Sequence, residues 1–343
     1  MRTIAIEEHF WTEEWVDYLR KRKDYPKIAA VDLGNGRSEE RFVYAPTQGS
    51  SVDGAVLGKL LDTGADRLAD MDEAGIDMQV LCIASGLEPF EAAEATGLSR
   101  MVNDGLARIV AKHPGRFAGF ATLAPQDPEG AAAELERAVR ELGMKGAKLN
   151  SHVRGATFDQ QRFWPIFEMA ERLDVPIYIH PRTPPADQLK VYADYPLLSG
   201  SLWGFGADMG LNAMKLVCSG LFDRYPKLKI ILGHLGEALP FWLWRIDNRW
   251  SREDADGDPR MRRLERKPGD YIRENFWFST SGVFSEASLT CAITAMGADR
   301  ILFAVDYPYE SNIEGGRFIR EVPISEDARA NICHRNAERL LKL

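Results

Sequence analysis

Short apolar runs recur along the chain, and most are followed by a longer segment with the periodicity of an amphipathic helix. The clearest helix-like segments are 60–74, 92–112, 128–142 and 163–173. Eight strands that alternate with helices are typical of a closed parallel barrel, so we predict an α/β fold, the (β/α)8 TIM barrel. The strand-like runs are 3–10, 78–84, 117–123, 146–150, 176–180, 229–234, 276–281 and 301–308.

The chain has 343 residues, which fits a single barrel domain over residues 1–343 better than two small domains. No proline- and glycine-rich linker divides the sequence. Three connections are longer than a barrel needs, and such connections are typically lids, pocket walls or subunit contacts. We therefore predict a loop or lid insertion at 11–58, and pocket or interface loops at 181–207 and 251–270.

Composition argues against two kinds of partner. The formal charge is −8 and the sequence contains no clustered basic face, so we expect no nucleic-acid binding. No apolar stretch is long enough to span a bilayer, so we expect no membrane association. The four cysteines are widely spaced without a C-x-x-C pair, which is typical of reduced thiols in a cytoplasmic protein.

The first strand-like run ends in Glu7-Glu8-His9. Alternate residues of a strand share a face, so Glu7 and His9 project together and Glu8 projects oppositely. An isolated E-x-H is more typical of a strand whose polar end has reached solvent than of a metal site. The ends of the other strands change this interpretation.

Three further strand-like runs also end in residues that can bind a metal, namely His180, His234 and Asp306. A single histidine after an apolar strand is usually structural, but the strand ends of a barrel converge on one mouth, where active sites of this fold lie. Two carboxylates and two imidazoles suit Zn²⁺ or Mn²⁺ and leave room for substrate. We predict one divalent ion per chain, held by Glu7, His9, His180 and Asp306.

The motifs around these residues resemble one family. They are similar to the amidohydrolase-related family that contains aminocarboxymuconate-semialdehyde decarboxylase and the nonoxidative hydroxybenzoate decarboxylases. Residues 233–240 resemble 5-carboxyvanillate decarboxylase, whereas the E-x-H of the first strand resembles γ-resorcylate decarboxylase. The motifs are Glu7-x-His9, Asn150-Ser151-His152, His180-Pro181-Arg182, Gly233-His234-Leu235-Gly236-Glu237, Ser281-Gly282, Asp306-Tyr307-Pro308 and Asn336-Ala337-Glu338.

The resemblance implies a role for each matched position. The four predicted ligands would hold the metal, and the carboxylate and ortho-hydroxyl of an aromatic substrate would complete its coordination. Asp306 would be the acid that protonates the ring carbon, which requires its pKa to be raised by a low-dielectric site or a nearby negative charge. His234 and Glu237 would orient it and tune its proton. No organic cofactor is implied.

Four residues are weaker predictions for substrate binding. Arg245 lies two helical turns beyond Glu237 and could hold a carboxylate, or it could form a surface ion pair with Asp247 or Glu237. Arg182 and Phe205 could line the pocket. His152 could contact substrate, although a structural hydrogen bond is at least as good an interpretation.

We expect a metal-dependent nonoxidative decarboxylase, a carbon–carbon lyase, acting on an ortho-hydroxylated benzoate. The alternative is a metal hydrolase that opens a lactone or amide with Asp306 as general base. An inert binding protein would explain the barrel but not the converging ligands. The family resemblance further implies a homodimer or homotetramer.

Overall fold

The computed structural model describes residues 1–44, 52–185, 187–253 and 264–343. Its strands are β1 (Ile4–Phe10), β2 (Lys27–Gly34), β3 (Arg37–Val43), β4 (Met78–Ile83), β5 (Phe117–Gly119), β6 (Ala121–Thr122), β7 (Ala147–Asn150), β8 (His152–Val153), β9 (Ala156–Thr157), β10 (Ile177–His180), β11 (Ile230–Leu232), β12 (Phe276–Ser279) and β13 (Ile301–Leu302).

The α-helices are α1 (Glu13–Lys21), α2 (Gly54–Leu61), α3 (Ala65–Ala74), α4 (Ala92–Lys112), α5 (Pro128–Arg140), α6 (Trp164–Leu173), α7 (Gly204–Cys218), α8 (Leu221–Arg224), α9 (His234–Glu237), α10 (Leu239–Glu253), α11 (Pro268–Asn275), α12 (Glu286–Met296), α13 (Asn312–Glu321), α14 (Glu326–Ala330) and α15 (Asn336–Leu341). Short 3-10 helices cover Gln161–Phe163, Leu189–Tyr192, Pro196–Ser199 and Ala298–Arg300, and a π-helix covers Asn331–Arg335.

The parallel strands follow one another around a ring. β1 pairs with β4 and β4 with β5, while β6, β7, β10, β11, β12 and β13 pair in that order. β5 and β6 are one strand interrupted at Phe120, whose backbone N–H donates to the Leu81 carbonyl. The ring closes between β1 and the chain after β13, because His9 N–H donates to Tyr307 O and Asp306 N–H to Glu7 O. The (β/α)8 barrel prediction is confirmed.

Two buried apolar clusters pack on the barrel strands. Ile4, Val80, Phe120, Tyr178 and Ile231 belong to one buried cluster, which is formed mainly by the barrel strands. A second and larger cluster packs the strands against the surrounding helices. Full burial of a large apolar side chain stabilises a fold by about 1.5–3 kcal/mol, so strand ends in such a core are well-fixed platforms for a site.

The helix predictions succeed except at one break. The segment 92–112 is α4, but the predicted helix 60–74 is divided into α2 and α3. The Asp62 side chain accepts a hydrogen bond from the Gly64 backbone N–H at 2.8 Å, and this local turn competes with helical hydrogen bonding.

The long connections contain regular structure as well as loops. The stretch 11–58 includes α1, the antiparallel hairpin β2–β3 and the start of α2. The stretch 181–207 includes two 3-10 helices and the start of α7, and 251–270 includes the end of α10 and the start of α11. Residues 45–51, 186 and 254–263 lie outside the described part of the chain. The lid, pocket and interface roles stay predictions.

No described helix combines the length and apolarity needed to cross a membrane.

Candidate metal centre

A bulge in β1 brings Glu7 and His9 to the inside of the barrel. Ile4 and Ile6 belong to the buried strand cluster, so strict alternation would place Glu7 and His9 on the opposite face. The pairing with β4 shifts register between Ala5 and Glu8, which inserts one extra residue. Beyond this bulge His9 pairs with Cys82 of the same cluster, and the side chain of Glu8 points away from the interior.

The four predicted ligands lie together at the mouth. One ligand atom from each of Glu7, His9, His180 and Asp306 can be chosen so that all lie within 4.8 Å of one another. His9 Nε2 is 2.8 Å from Asp306 Oδ1, and His180 Nε2 is 3.3 Å from Glu7 Oε1. Ligands bound about 2.1 Å from a shared ion lie roughly 3.0–3.5 Å from each other, so these separations suit coordination.

Two further observations show that this cluster fits a divalent ion. Glu7 Oε1 is buried and has no hydrogen-bond partner among the described residues, although a buried carboxylate oxygen normally has one. His180 Nδ1 is 2.7 Å from the Pro181 carbonyl, to which only a protonated Nδ1 can donate. Its Nε2 lone pair is therefore free for a metal, which is the usual arrangement of a ligating histidine.

Burial controls the protonation of the ligands. It raises the pKa of Glu7 to about 8, and the Asp306 charge adds to this effect. Burial lowers the pKa of His9, against the opposing effect of Asp306, and lowers the pKa of His180 well below its usual value. The two imidazoles are therefore neutral, which is the form that binds metals.

A second chain of contacts leads from the cluster to Glu237. His234 Nδ1 is 2.7 Å from Glu237 Oε1, and His234 Nε2 is 3.9 Å from Asp306 Oδ2. Burial alone would lower the pKa of His234, but Glu237 and Asp306 raise it well above its usual value. Burial alone would raise the pKa of Asp306, but His234 and His9 lower it.

The pKa of Asp306 is lowered in the free chain, whereas its role as the ring acid requires a raised pKa in the presence of a nearby negative charge such as a substrate carboxylate. The carboxylate accepts a hydrogen bond from His9 and lies 3.9 Å from the imidazole of His234, and these two interactions favour its charged form more than burial disfavours it. The raised pKa of His234 favours its protonated form, with Nε2 at 3.9 Å from Asp306 Oδ2.

A strained turn positions His234 and Glu237. Four residues of this turn other than glycine have left-handed backbone conformations, namely His234, Leu235, Glu237 and Ala238. Gly236 has φ +79°, and a Cβ there would lie 2.7 Å from the Phe278 ring, so only glycine fits. Such strain is typical of functional sites, and here it directs both side chains toward the mouth.

Several contacts of the ligands could not be derived from sequence periodicity. The Ser279 hydroxyl donates to Glu7 Oε2 at 3.1 Å and lies 2.9 Å from the Ser281 hydroxyl, which in turn accepts from the His234 backbone N–H. Cys82 Sγ lies 3.4 Å from His9 Nδ1. The Ser281-Gly282 motif was the one signal in the sequence that pointed to part of this group.

Two of the predicted substrate residues, Arg182 and His152, contact each other, since Arg182 Nη1 donates to the His152 carbonyl at 3.4 Å. The Arg182 guanidinium lies 5.0 Å from the Tyr44 ring centre and 3.8 Å from Glu88, and burial lowers its pKa to about 10. His152 contacts backbone through both ring nitrogens, at the Thr183 carbonyl and the Gly155 N–H. The structural interpretation of His152 is therefore favoured.

The other two, Phe205 and Arg245, lie in helices α7 and α10. Phe205 is half-buried in the first turn of α7, and at the next position a Cβ on Gly206 would lie 3.1 Å from Glu237 Oε2. Arg245 is exposed on α10. The considered ion pair with Asp247 or Glu237 does not form, since Asp247 lies near Arg273 and Glu237 contacts His234.

Comparison with known proteins agrees with this geometry. The family model described as amidohydrolase matches residues 9–343. The chain belongs to the amidohydrolase family. Its sequence is 39% identical to γ-resorcylate decarboxylase of a Polaromonas species over 353 residues, covering 99% of this chain and 98% of that protein.

Two solved structures extend the comparison. The 5-carboxyvanillate decarboxylase of Sphingomonas paucimobilis superimposes with a TM-score of 0.87 at 38% identity, covering 100% of this amidohydrolase and 99% of that chain. A Polaromonas dihydroxybenzoic acid decarboxylase with bound manganese and the inhibitor 2-nitroresorcinol gives a TM-score of 0.84 at 39% identity, with 100% and 97% covered. The family resemblance inferred from sequence is confirmed, and these relatives are carbon–carbon lyases.

Proposed function

We propose that this amidohydrolase is a metal-dependent nonoxidative decarboxylase of an ortho-hydroxylated benzoate, such as a dihydroxybenzoate or 5-carboxyvanillate. The observation that carries the proposal is the pairing of a four-residue metal cluster with the adjacent Asp306–His234–Glu237 chain at the barrel mouth. The high identity to γ-resorcylate decarboxylase supports it, as does the manganese in a related structure.

The proposed ligands are Glu7, His9, His180 and Asp306, with Mn²⁺ or Zn²⁺ as the ion. When bound, the ion would supply Lewis-acid polarisation of the substrate's carboxylate and ortho-hydroxyl oxygens. Glu7 and His9 are fully buried, whereas the side chains of His180 and Asp306 keep 12% and 15% exposure. A substrate therefore approaches from the side of the cluster formed by His180 and Asp306.

The protein residues supply the proton. The ring carbon that bears the carboxylate must bind one proton, and the electrons of the broken carbon–carbon bond restore the aromatic ring as CO₂ leaves. The high pKa of His234, maintained by Glu237 and Asp306, keeps that proton available 3.9 Å from Asp306. Asp306 receives it and delivers it to the ring carbon, after which solvent restores the proton on His234. Arg182 and Phe205 are proposed to line the substrate's path.

A metal hydrolase remains the second candidate because one observation favours it. The lowered pKa of Asp306 keeps its carboxylate ionised, and an ionised carboxylate that accepts a proton from water could open a lactone or amide. The raised pKa of His234 favours the decarboxylase, since that reaction needs a stored proton. The proposed substrate therefore has to be tested directly against lactones.

A screen of hydroxybenzoates with Mn²⁺- and Zn²⁺-loaded protein tests the proposal. We expect CO₂ release and loss of absorbance with an ortho-hydroxylated acid. We expect no reaction when that hydroxyl is methylated or absent, because polarisation and ring protonation both need its oxygen electrons. Rapid turnover of the methylated analogue, or activity on lactones alone, would contradict the proposed reaction.

The Glu237→Gln variant tests the source of the proton. The Glu237 carboxylate raises the pKa of His234, so its removal lowers that pKa. If protonated His234 is required, activity is lost as pH rises through this pKa, and we expect the alkaline limb of the kcat profile to move to lower pH. An unshifted alkaline limb would exclude His234 as the stored acid.

We propose that the protein is a homodimer or homotetramer. Large apolar side chains are exposed in the 191–211 region and on α10, including Leu197 at 83%, Leu202 at 70%, Phe241 at 73% and Trp244 at 75%. Exposed apolar groups of this kind mark protein contacts. We expect sedimentation to give a multiple of the chain mass, and Trp244→Glu to reduce it. A monomeric parent protein would refute the assembly. The expected cytoplasmic location stays a prediction.

A further inference from the structure

Glu8 lies between the proposed metal ligands Glu7 and His9 in the sequence. Its side chain accepts hydrogen bonds from the backbone around a third proposed ligand, Asp306. Its Oε1 accepts the Val305 N–H at 2.9 Å, and its Oε2 accepts the Tyr307 N–H at 3.1 Å. These are the two backbone N–H groups on either side of Asp306. The Asp306 N–H itself donates to the Glu7 carbonyl at 3.1 Å. Three successive N–H groups around the ligand are therefore fixed by β1.

This support matters because Asp306 has a strained backbone. Its φ of +81° lies in the left-handed region, which residues with a Cβ seldom adopt. Such conformations persist only where surrounding contacts determine them more strongly than local preference does. The two hydrogen bonds that Glu8 accepts are contacts of this kind, and they hold the backbone whose Asp306 carboxylate lies 2.8 Å from His9.

Arg67 supports the backbone of a second proposed ligand, His9. It is completely buried, and its Nη1 donates to the His9 carbonyl at 2.8 Å while its Nε donates to Gln79 at 2.7 Å. Its guanidinium lies 4.7 Å from the centre of the Tyr307 ring. Arg67 and Glu8 also attract each other electrostatically. Arg67 thus fixes the backbone of His9 and packs beside Tyr307, the residue that follows Asp306.

We propose that Glu8 and Arg67 are positioning residues that set the metal affinity by fixing the backbones of Asp306 and His9. The inference rests on the proposed metal centre, to which neither side chain contributes a ligand. Residues that orient metal ligands from outside typically change metal affinity by about 10–100-fold when they are replaced. We call this pair the Glu8–Arg67 clamp.

Titration of metal-stripped protein with Mn²⁺, following the EPR signal of free Mn²⁺, tests the clamp. In Glu8→Gln the amide NH₂ cannot accept a backbone N–H, so one bond is lost with little change in volume. We expect its Kd for Mn²⁺ to rise by about tenfold or more. Arg67→Lys keeps the charge but loses the planar fork that reaches both His9 and Gln79, and it should weaken binding similarly. If Glu8→Gln does not fold, Arg67→Lys decides.

Glu134→Gln is the matched control. Glu134 is also a buried carboxylate bonded to an arginine, Arg137, but it lies on α5 and contacts no proposed ligand. We expect it to lower the thermal unfolding temperature without changing the Kd. A folded clamp variant with a Kd within about twofold of the parent would overturn the proposal, as would equal weakening in the control. A parent that binds Mn²⁺ but decarboxylates no aryl acid would refute the proposed function and leave the clamp in place.

Discussion

Asp306→Asn is expected to lower the kcat of decarboxylation by roughly 10²–10⁴-fold, the usual contribution of a positioned general acid or base. Asparagine cannot carry the proton from His234 to the ring carbon. The fold should persist, because asparagine tolerates the left-handed backbone that Asp306 adopts at φ +81°. CO₂ release, metal content and circular dichroism together measure the effect.

Glu310→Gln is the control for this variant. Glu310 is an exposed carboxylate four residues away, and its N–H donates to the Asp306 carbonyl through backbone atoms that the substitution does not change. We expect near-parental activity from it. In D₂O the parent enzyme should place one deuterium where the carboxyl group had been, and high bicarbonate should drive carboxylation of the phenol. An Asp306→Asn enzyme that retains most of its activity would remove Asp306 from the proton path.

His180→Ala is expected to have the second largest effect, which is loss of the metal. The parent should contain roughly one divalent ion per chain. Replacement of a direct ligand should weaken metal binding by more than about 100-fold, which exceeds the effect of replacing a residue that only orients a ligand. Activity should fall with metal content, because the remaining ligands cannot hold the ion at ordinary concentrations. Elemental analysis of dialysed protein and CO₂ release measure both.

His113→Ala provides the matched histidine control. His113 is the C-cap residue of α4 and packs against Phe117, with ring centres 5.7 Å apart, and it is not part of the metal cluster. We expect full metal content and activity in this variant. A fully active, metal-free His180→Ala protein would refute the metal centre.

The sequence alone predicted the barrel and the four residues of the proposed metal cluster. Apolar strands ending in Glu7-x-His9, His180 and Asp306 reach one mouth because parallel strands of a barrel all end at the same rim. Periodicity and strand order can be derived from the sequence, and closure of the barrel brings the ends of its strands close together. The helix break at Asp62 was missed because it depends on one side-chain hydrogen bond.

Only the tertiary structure decided how those residues are held and protonated. The bulge in β1, which turns Glu7 and His9 inward, arises from pairing with β4 and has no signature in the run of residues itself. The raised pKa of His234 and the lowered pKa of Asp306 depend on charges brought from distant strands into a buried space. Arg67 reaches His9 across 58 positions of sequence. Such effects depend on distances through space, which the order of residues along the chain does not contain.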